Sequence, residues 1–553
     1  MMNVQEIHSQ YIEEEFGEDG VIKRFDLRLP DNFSYAYDII DRIAEAEPDR
    51  RAMIWCDDEG REKVFTYGEL SGLSNKAANM LLDKGIRKGD KIMTVLKRHW
   101  QMWVAVLAIE KIGAVLIPAT NQLKKKDYVY RFDAGDIDYV IATGDGDVCE
   151  NIESACTECP LKLKFIAKGE REGWISFDTE FEKYPDKLER IPTSVDDDCL
   201  MFFSSGTTGY PKMVVHSHRY SASHIPTAKY WHHLNENSIH LTISESGWGK
   251  FFWGKLYGQM ALGATVMAYD FTRFVPGDVM GIIEKYKVTS LCCPPTMYRF
   301  FIKEGLGDYD ISSLEYATTA GEALNAEVYE RFKEMTGLSL MEGFGQTETT
   351  LLIGNPYGTV SRSGSMGRAM PLFDVIIADS EGNEVPDGTT GEICVRLKEG
   401  INNGIFKGYY KNPAENERAF AYGLYHTGDT AYRDTDGYFQ YVGRIDDVIK
   451  SSGYRIGPFE IESVLMEHPA VLEAAVTAAP DPVRGCVVKA TIVLTGKYKD
   501  KGDAALVKEI QEFVKENTAP YKYPRIVEFA DELPKTISGK IRRVEIRRND
   551  GME

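Results

Sequence analysis

The sequence predicts an α/β protein: a large N-terminal domain of mostly parallel sheets flanked by helices, followed by a small α+β domain. Three observations predict it. From about Tyr67, short apolar β-type runs alternate with segments of helical spacing, the rhythm of parallel strands joined by crossover helices. The same rhythm returns between Ala261 and Leu340. After Gly443 the pattern becomes helix, strand, strand, helix, which suits a separate small unit.

Element by element, Leu70, Leu73, Ala77, Met80 and Leu81 keep helical spacing. Residues 91–96 read as a strand, 100–111 as a helix, 114–119 as a strand, 128–131 as the start of a helix, and 139–142 as a strand. Residues 338–341 form an apolar strand that leads into a polar loop. Gly457-Pro458 opens a helix with Ile461, Val464 and Leu465 on one face, because proline suits a first turn. Strands follow at 471–478 and 488–494, and a last helix groups Leu506, Ile510, Phe513 and Val514. The expected division is 1–445 and 446–553, with Asp446 at the boundary.

With 553 residues and 43% hydrophobic content, the chain can bury more than one core. Its formal charge of −20, from 65 basic and 85 acidic residues, argues against nucleic acid or an anionic membrane as main partner. The first 20 residues carry acids and no apolar segment, so no secretory signal is expected. The strongest apolar run, 103–109, is far short of the roughly 20 residues of a membrane span. The nine cysteines are scattered. A lone Cys156-x-x-Cys159 and the adjacent Cys292-Cys293 do not make a zinc framework, and free thiols fit a reducing cytoplasm.

Five polar strings punctuate this pattern. Ser204-Ser205-Gly206-Thr207-Thr208-Gly209-Tyr210-Pro211-Lys212 follows an apolar strand. Its glycines allow successive N–H groups to converge on a polyphosphate, its hydroxyls add donors, and Lys212 adds charge. It is not a Walker loop, since Gly-Lys-Ser/Thr after four spacers is missing. In Glu342-Gly343-Phe344-Gly345-Gln346-Thr347-Glu348, Phe344 suits a purine face, Thr347 a phosphate and Glu348 a magnesium ion. Thr427-Gly428-Asp429 reads as a turn whose acid can accept ribose hydroxyls. Gly443-Arg444-Ile445-Asp446-Asp447, continuing to Ser452-Gly453-Tyr454-Arg455, places two arginines around the boundary. Ser538-Gly539-Lys540 projects a lysine near the C-terminal end.

In this order the strings resemble the adenylate-forming superfamily of acyl-CoA synthetases, adenylation domains and luciferases. Residues 452–458, 466–471 and 519–525 are most similar to the medium-chain acyl-CoA synthetases. The resemblance implies a mobile C-terminal lid hinged at Asp446 and a two-step reaction. A carboxylate attacks the α-phosphate of ATP with Mg2+ present, and coenzyme A then takes the acyl group from the adenylate. It implies that Ser204 to Gly209 and Lys212 wrap the phosphates. Gly321, Glu322, Ala323 and Glu342 to Gly345 enclose adenine, with Gln346 beside them. Thr347 touches the α-phosphate, Glu348 the metal, Asp429 and Arg444 the ribose, and Arg455 the phosphates. Lys540 bridges the carboxylate and the α-phosphate. Gln122, Ser452, Gly453, Tyr454, Arg484, Lys515 and Tyr523 match positions that contact coenzyme A.

Acetate-specific members carry tryptophan where this chain has Gly345, which implies an acid longer than acetate. The stretch from Ser246 to Trp253 matches the acyl wall but departs from the family's Asp-Thr-Gly opening. If Trp248 and Lys250 intrude there, branched or small aromatic acids are favoured over straight ones. Two other classes remain open at this point: an adenylation enzyme loading a carrier protein, and a non-catalytic nucleotide-binding member.

Overall fold

In a computed structural model, the described residues are 3–204, 210–307, 309–451, 454–481, 485–535 and 540–550. Two large, mostly parallel sheets form the body. Among the described residues the first has eight strands, in the spatial order Gly408–Tyr409, Lys212–Ser217, Asp198–Ser204, Val115–Pro118, Lys91–Val95, Tyr139–Thr143, Leu163–Ala167 and Ile175–Ser176. The second has nine: Arg368–Ala369, Leu351–Gly354, Leu340–Gly345, Tyr316–Ala320, Ser290–Cys292, Ile239–Thr242, Thr265–Asp270, Arg51–Asp57 and Glu62–Thr66. The central strands pair in parallel, antiparallel pairs close both edges of the second sheet and one edge of the first, and the parallel pair of Leu163–Ala167 with Ile175–Ser176 closes the other.

The predicted elements recur with shifted ends. The first amphipathic helix is Tyr67–Asp83, started by Thr66, whose hydroxyl accepts from the Glu69 N–H while Glu69 reaches back. The strongest apolar run lies in the helix Gln101–Lys111, every residue of which is buried. A helix apolar on all sides is a core helix. No described helix is long and apolar enough to cross a membrane. All nine cysteines are free.

The C-terminal region builds its own apolar cluster from Ile449, Ile456, Ile461, Leu465, Val476, Ala490, Ile492, Ile510 and their neighbours, with no member before residue 449 among the described residues. The helix Pro458–Glu467 and the helix Ala504–Asn517 pack with a sheet of Val471–Asp481, Gly485–Leu494 and Ile526–Phe529.

Two local readings need correction. The strand expected to stop at 341 is Leu340–Gly345, because Glu342 and Gly343 pair with Thr319 and Ala320 on one side while Gly343 to Gly345 pair with Leu351–Gly354 on the other. Thr427-Gly428-Asp429 is not a free turn. It lies inside the strand Leu424–Arg433, where Gly428 adopts φ +72° and the pairing shifts register on both sides.

Candidate active site

Ser204 and the segment 342–345 end parallel-paired strands of the two large sheets, where α/β folds place ligands, while residues 427–429 and Arg444 come from a separate antiparallel sheet. Ser204 ends one strand and pairs directly with Lys212, the first residue of its antiparallel neighbour. Ser205, Gly206, Thr207, Thr208 and Gly209 lie outside the described residues. Lys212 donates to Glu415 Oε2 at 2.6 Å, and its Nζ lies 5.0 Å from the centre of the Tyr409 ring.

Gly321 follows Tyr316–Ala320 at φ +103° with open space where a side chain would stand. Glu322 accepts from the Thr296 hydroxyl at 2.7 Å, and Ala323 is half-buried. Glu342 is buried and accepts the Leu324 N–H at 3.1 Å, tying this segment to the neighbouring strand. Burial pushes the Glu342 carboxyl up to about 8. Phe344 faces Tyr441 with ring centres 6.3 Å apart. Gly343 is required sterically, since a Cβ there would meet Trp231 at 2.7 Å.

Gln346 sits at the centre of a hydrogen-bond network around Asp429. Its amide donates to Thr427 O at 2.8 Å and to Asp429 Oδ2 at 2.5 Å, and its oxygen accepts from the Tyr425 hydroxyl at 2.6 Å. The Tyr441 hydroxyl donates to Asp429 Oδ1 at 2.9 Å, and Arg444 lies 3.6 Å from Oδ2. Burial raises the Asp429 carboxyl, opposed by the charges of Arg444 and Lys540. Lys540 is exposed, and its charge reaches the buried Asp429 from the far end of the chain.

The backbone carbonyl of Thr347 is bonded to His216 Nε2 at 2.8 Å, while its own hydroxyl makes no hydrogen bond to another described residue. Glu348 is buried, accepts from the Tyr409 hydroxyl at 2.9 Å and has no Lys or Arg within ion-pair distance among the described residues. Burial raises its carboxyl. A buried carboxylate that lacks a cation beside the phosphate hairpin fits a magnesium ion, which takes one or two carboxylates along with phosphate oxygens.

The acyl side differs from expectation. The space opposite Gly345 is filled: a Cβ there would lie 2.3 Å from Cη2 of Trp253 and 2.6 Å from Thr350 O. Trp253 is buried, and its Nε1 donates to the Tyr220 hydroxyl at 3.1 Å. The indole of Trp253, from the helix Gly249–Lys255, therefore packs against the strand at Gly345. Trp248 caps the helix Gly249–Lys255 and is half-buried, and Lys250 donates to Ala320 O at 2.9 Å beside the adenine segment. Gly247 lets this wall approach the strand end at Ala119 and Thr120, where a Cβ would meet Thr120 N at 2.4 Å.

The residues expected at coenzyme A are divided. Gln122 is exposed just after Thr120. Lys515 lies 4.4 Å over the Tyr523 ring, and Arg525 donates to the Tyr523 hydroxyl at 2.9 Å. No hydrogen bond joins Gln122 to that group among the described residues. Ser452, Gly453 and Arg484 lie outside the described residues, and Tyr454 and Arg455 are described by backbone only, pairing with Ser451 and Lys450. Asp446 is exposed, 3.5 Å from Arg444 Nε.

Sequence reading missed Trp253, Tyr441, Tyr409 and His216. Each is an aromatic or imidazole side chain near a string, but none carries a spacing that separates it from core. Only Trp253 lies in a stretch already notable for its density of aromatic residues.

A family model described as AMP-binding enzyme matches residues 40–410, and one described as AMP-binding enzyme C-terminal domain matches residues 460–540. The human protein "Acyl-coenzyme A synthetase ACSM3, mitochondrial" is 39% identical over 535 residues, 95% of this chain and 91% of that protein. The human "Acyl-coenzyme A synthetase ACSM4, mitochondrial" is 40% identical over 535 residues, 95% of this chain and 92% of that protein. Among solved structures, the anthranilate CoA ligase AuaEII in complex with anthranoyl-AMP has a TM-score of 0.86 at 28% identity, covering 95% of this chain and 98% of that one. A benzoate CoA ligase from Burkholderia xenovorans LB400 has a TM-score of 0.80 at 27% identity, covering 93% and 100%.

Proposed function

From the premise that this chain belongs to the AMP-binding enzyme family and is an acyl-CoA synthetase, we propose that its acid is branched or a small aromatic ring, not a long straight chain. The observation that supports this reading is the packing of Trp253 against Gly345, the position at which the resemblance places the acyl chain. The relatives named for anthranilate and benzoate support a pocket of this kind on the same fold.

A carboxylate resists nucleophiles because its charge is delocalised, and a mixed anhydride with AMP supplies a leaving group. The first step is then mainly positioning and charge stabilisation. In this reading Ser204, Lys212 and the residues between them hold the β- and γ-phosphates, and phosphate competes with Glu415 for Lys212. Glu342 pins the shelf of Gly321, Glu322 and Ala323 against adenine. Gln346 and Tyr441 aim Asp429 at the ribose, with Arg444 alongside. Thr347 donates to the α-phosphate from a backbone held by His216. Glu348 would hold Mg2+, which neutralises phosphate charge when bound. Lys540 meets the charge that builds between the attacking carboxylate and the α-phosphate, where exclusion of water strengthens its effect. Coenzyme A then enters past Gln122, Ser452 to Tyr454, Arg484, Lys515 and Tyr523, once the lid has turned about Asp446 and withdrawn Lys540. The free cysteines fit a reducing compartment, and a cytoplasmic location belongs to the same proposal.

The test is acid-dependent exchange of pyrophosphate into ATP, followed by thioester formation with coenzyme A, across straight, branched and benzoate-type acids. A preference for octanoate over 2-methylbutanoate and benzoate would overturn the assignment of the acid. Exchange without thioester formation would point instead to a carrier-loading adenylation enzyme.

A further inference from the structure

We propose that Asp447 is a positioning residue for adenylation, holding the last helix through Arg543 and Arg547 so that Lys540 stays over the nucleotide pocket. The inference rests on the role given to Lys540 above.

The geometry forms a chain of contacts that runs from Asp429 to the last helix. Asp429 pairs with Arg444 at 3.6 Å, and the Asp447 N–H donates to Arg444 O at 3.1 Å. Asp447 Oδ1 pairs with Arg547 at 2.5 Å and Oδ2 with Arg543 at 3.6 Å. Both arginines sit in the helix Arg543–Asn549, which begins three residues after Lys540. Arg543 also spans Glu462, with its Nη2 at 2.8 Å from Oε1 and 2.6 Å from Oε2. Glu462 is itself fixed by the Val476 N–H at 2.8 Å.

The side chains of Asp447, Glu462, Arg543 and Arg547 are only 12%, 10%, 22% and 13% exposed, so solvent screens this cluster little. Between it and Lys540 the chain is short and tied at its base. Lys535 bridges Ile541, and the Arg542 N–H donates to Pro534 O at 2.8 Å. Only Ile541 and Arg542 separate Lys540 from the start of the helix.

The far end of the same helix supplies a control. Asp550 is paired with Lys489, which also pairs with Glu528 at 2.7 Å. That anchor ties the helix to the small sheet and does not involve Asp447. Loosening it tests whether any weakening of the helix suffices.

The experiment compares Asp447→Asn with Asp550→Asn in the full chain, measuring pyrophosphate exchange and, separately, thioester formation from supplied acyl-adenylate. Asp447→Asn is expected to lower the exchange kcat about tenfold or more while the KM for ATP moves less than about threefold, with transfer from the adenylate within about twofold. Asp550→Asn is expected to leave both half-reactions within about twofold. Retained exchange in Asp447→Asn, equal loss of both half-reactions, or the same split in Asp550→Asn overturns the proposal. If Asp447→Asn does not fold, Arg547→Gln is judged by the same criteria. A wild-type chain without acid-dependent exchange refutes the proposed function itself, an outcome distinct from any of these.

Discussion

The indole of Trp253 stands directly against Gly345, with Cη2 2.3 Å from where a glycine-to-alanine change would put a Cβ. Two residues far apart in the chain thus pack against each other, and the proposed function makes them the end of the acyl site. Trp253→Ala should lengthen the pocket. Each methylene newly buried is worth about 0.8 kcal/mol, so three raise the kcat/KM of heptanoate relative to butanoate roughly fiftyfold. The same change removes a buried aromatic and should cost about 3–5 kcal/mol of stability by denaturant titration. An unchanged ratio of the two acids would show that Trp253 does not bound the acyl site.

Gln346 is held by Tyr425 and in turn holds Thr427 O and Asp429. Gln346→Ala should free Asp429 to turn from the ribose and raise the KM for ATP about tenfold, the effect of roughly 1.4 kcal/mol. The KM for the acid should move little. Nucleotide titration of the variant with and without acid separates the two.

The charge of Lys540 is among those that oppose the rise of the buried Asp429 carboxyl, and the proposed function has it serve adenylation. Lys540→Ala should abolish adenylate formation, at least about a hundredfold in exchange rate, because the charge it meets exists only in that step. Transfer from supplied acyl-adenylate to coenzyme A should persist. Equal loss of both half-reactions would contradict a role in the first step alone.

Glu342 gives a pH signature. Burial lifts its carboxyl from 4.5 to about 8, so between those values the folded chain holds a proton that the unfolded chain releases. The stabilising contribution is full below pH 4.5 and is lost as pH rises through 8. Glu342→Gln keeps the shape without the titration. Relative to the variant, the wild type should lose stability by up to about 1.4 kcal/mol per pH unit across this range. Urea midpoints measured from pH 5 to 8 check the slope, and parallel curves would exclude a buried neutral Glu342.

The alternation of elements was legible because helix and strand periods are written in residues a few positions apart. Tyr67–Asp83 and Pro458–Glu467 follow directly from apolar spacing and from their start signals, Thr66 with Glu69 and Gly457-Pro458. Strand ends were less legible. Leu340–Gly345 runs through glycines and an acid because its two neighbours complete its hydrogen bonds, and no local pattern announces that.

By itself the sequence determined the order of the polar strings, the family they resemble and the chemistry of ATP activation, since each string keeps its residues within a few positions of one another. Only the tertiary structure decided that Trp253 packs against Gly345, that Gln346 and Tyr441 hold Asp429, and that Asp447 grips the last helix. These pairs are distant in the chain, and what brings them together is the packing of whole sheets and helices, a property no local window contains.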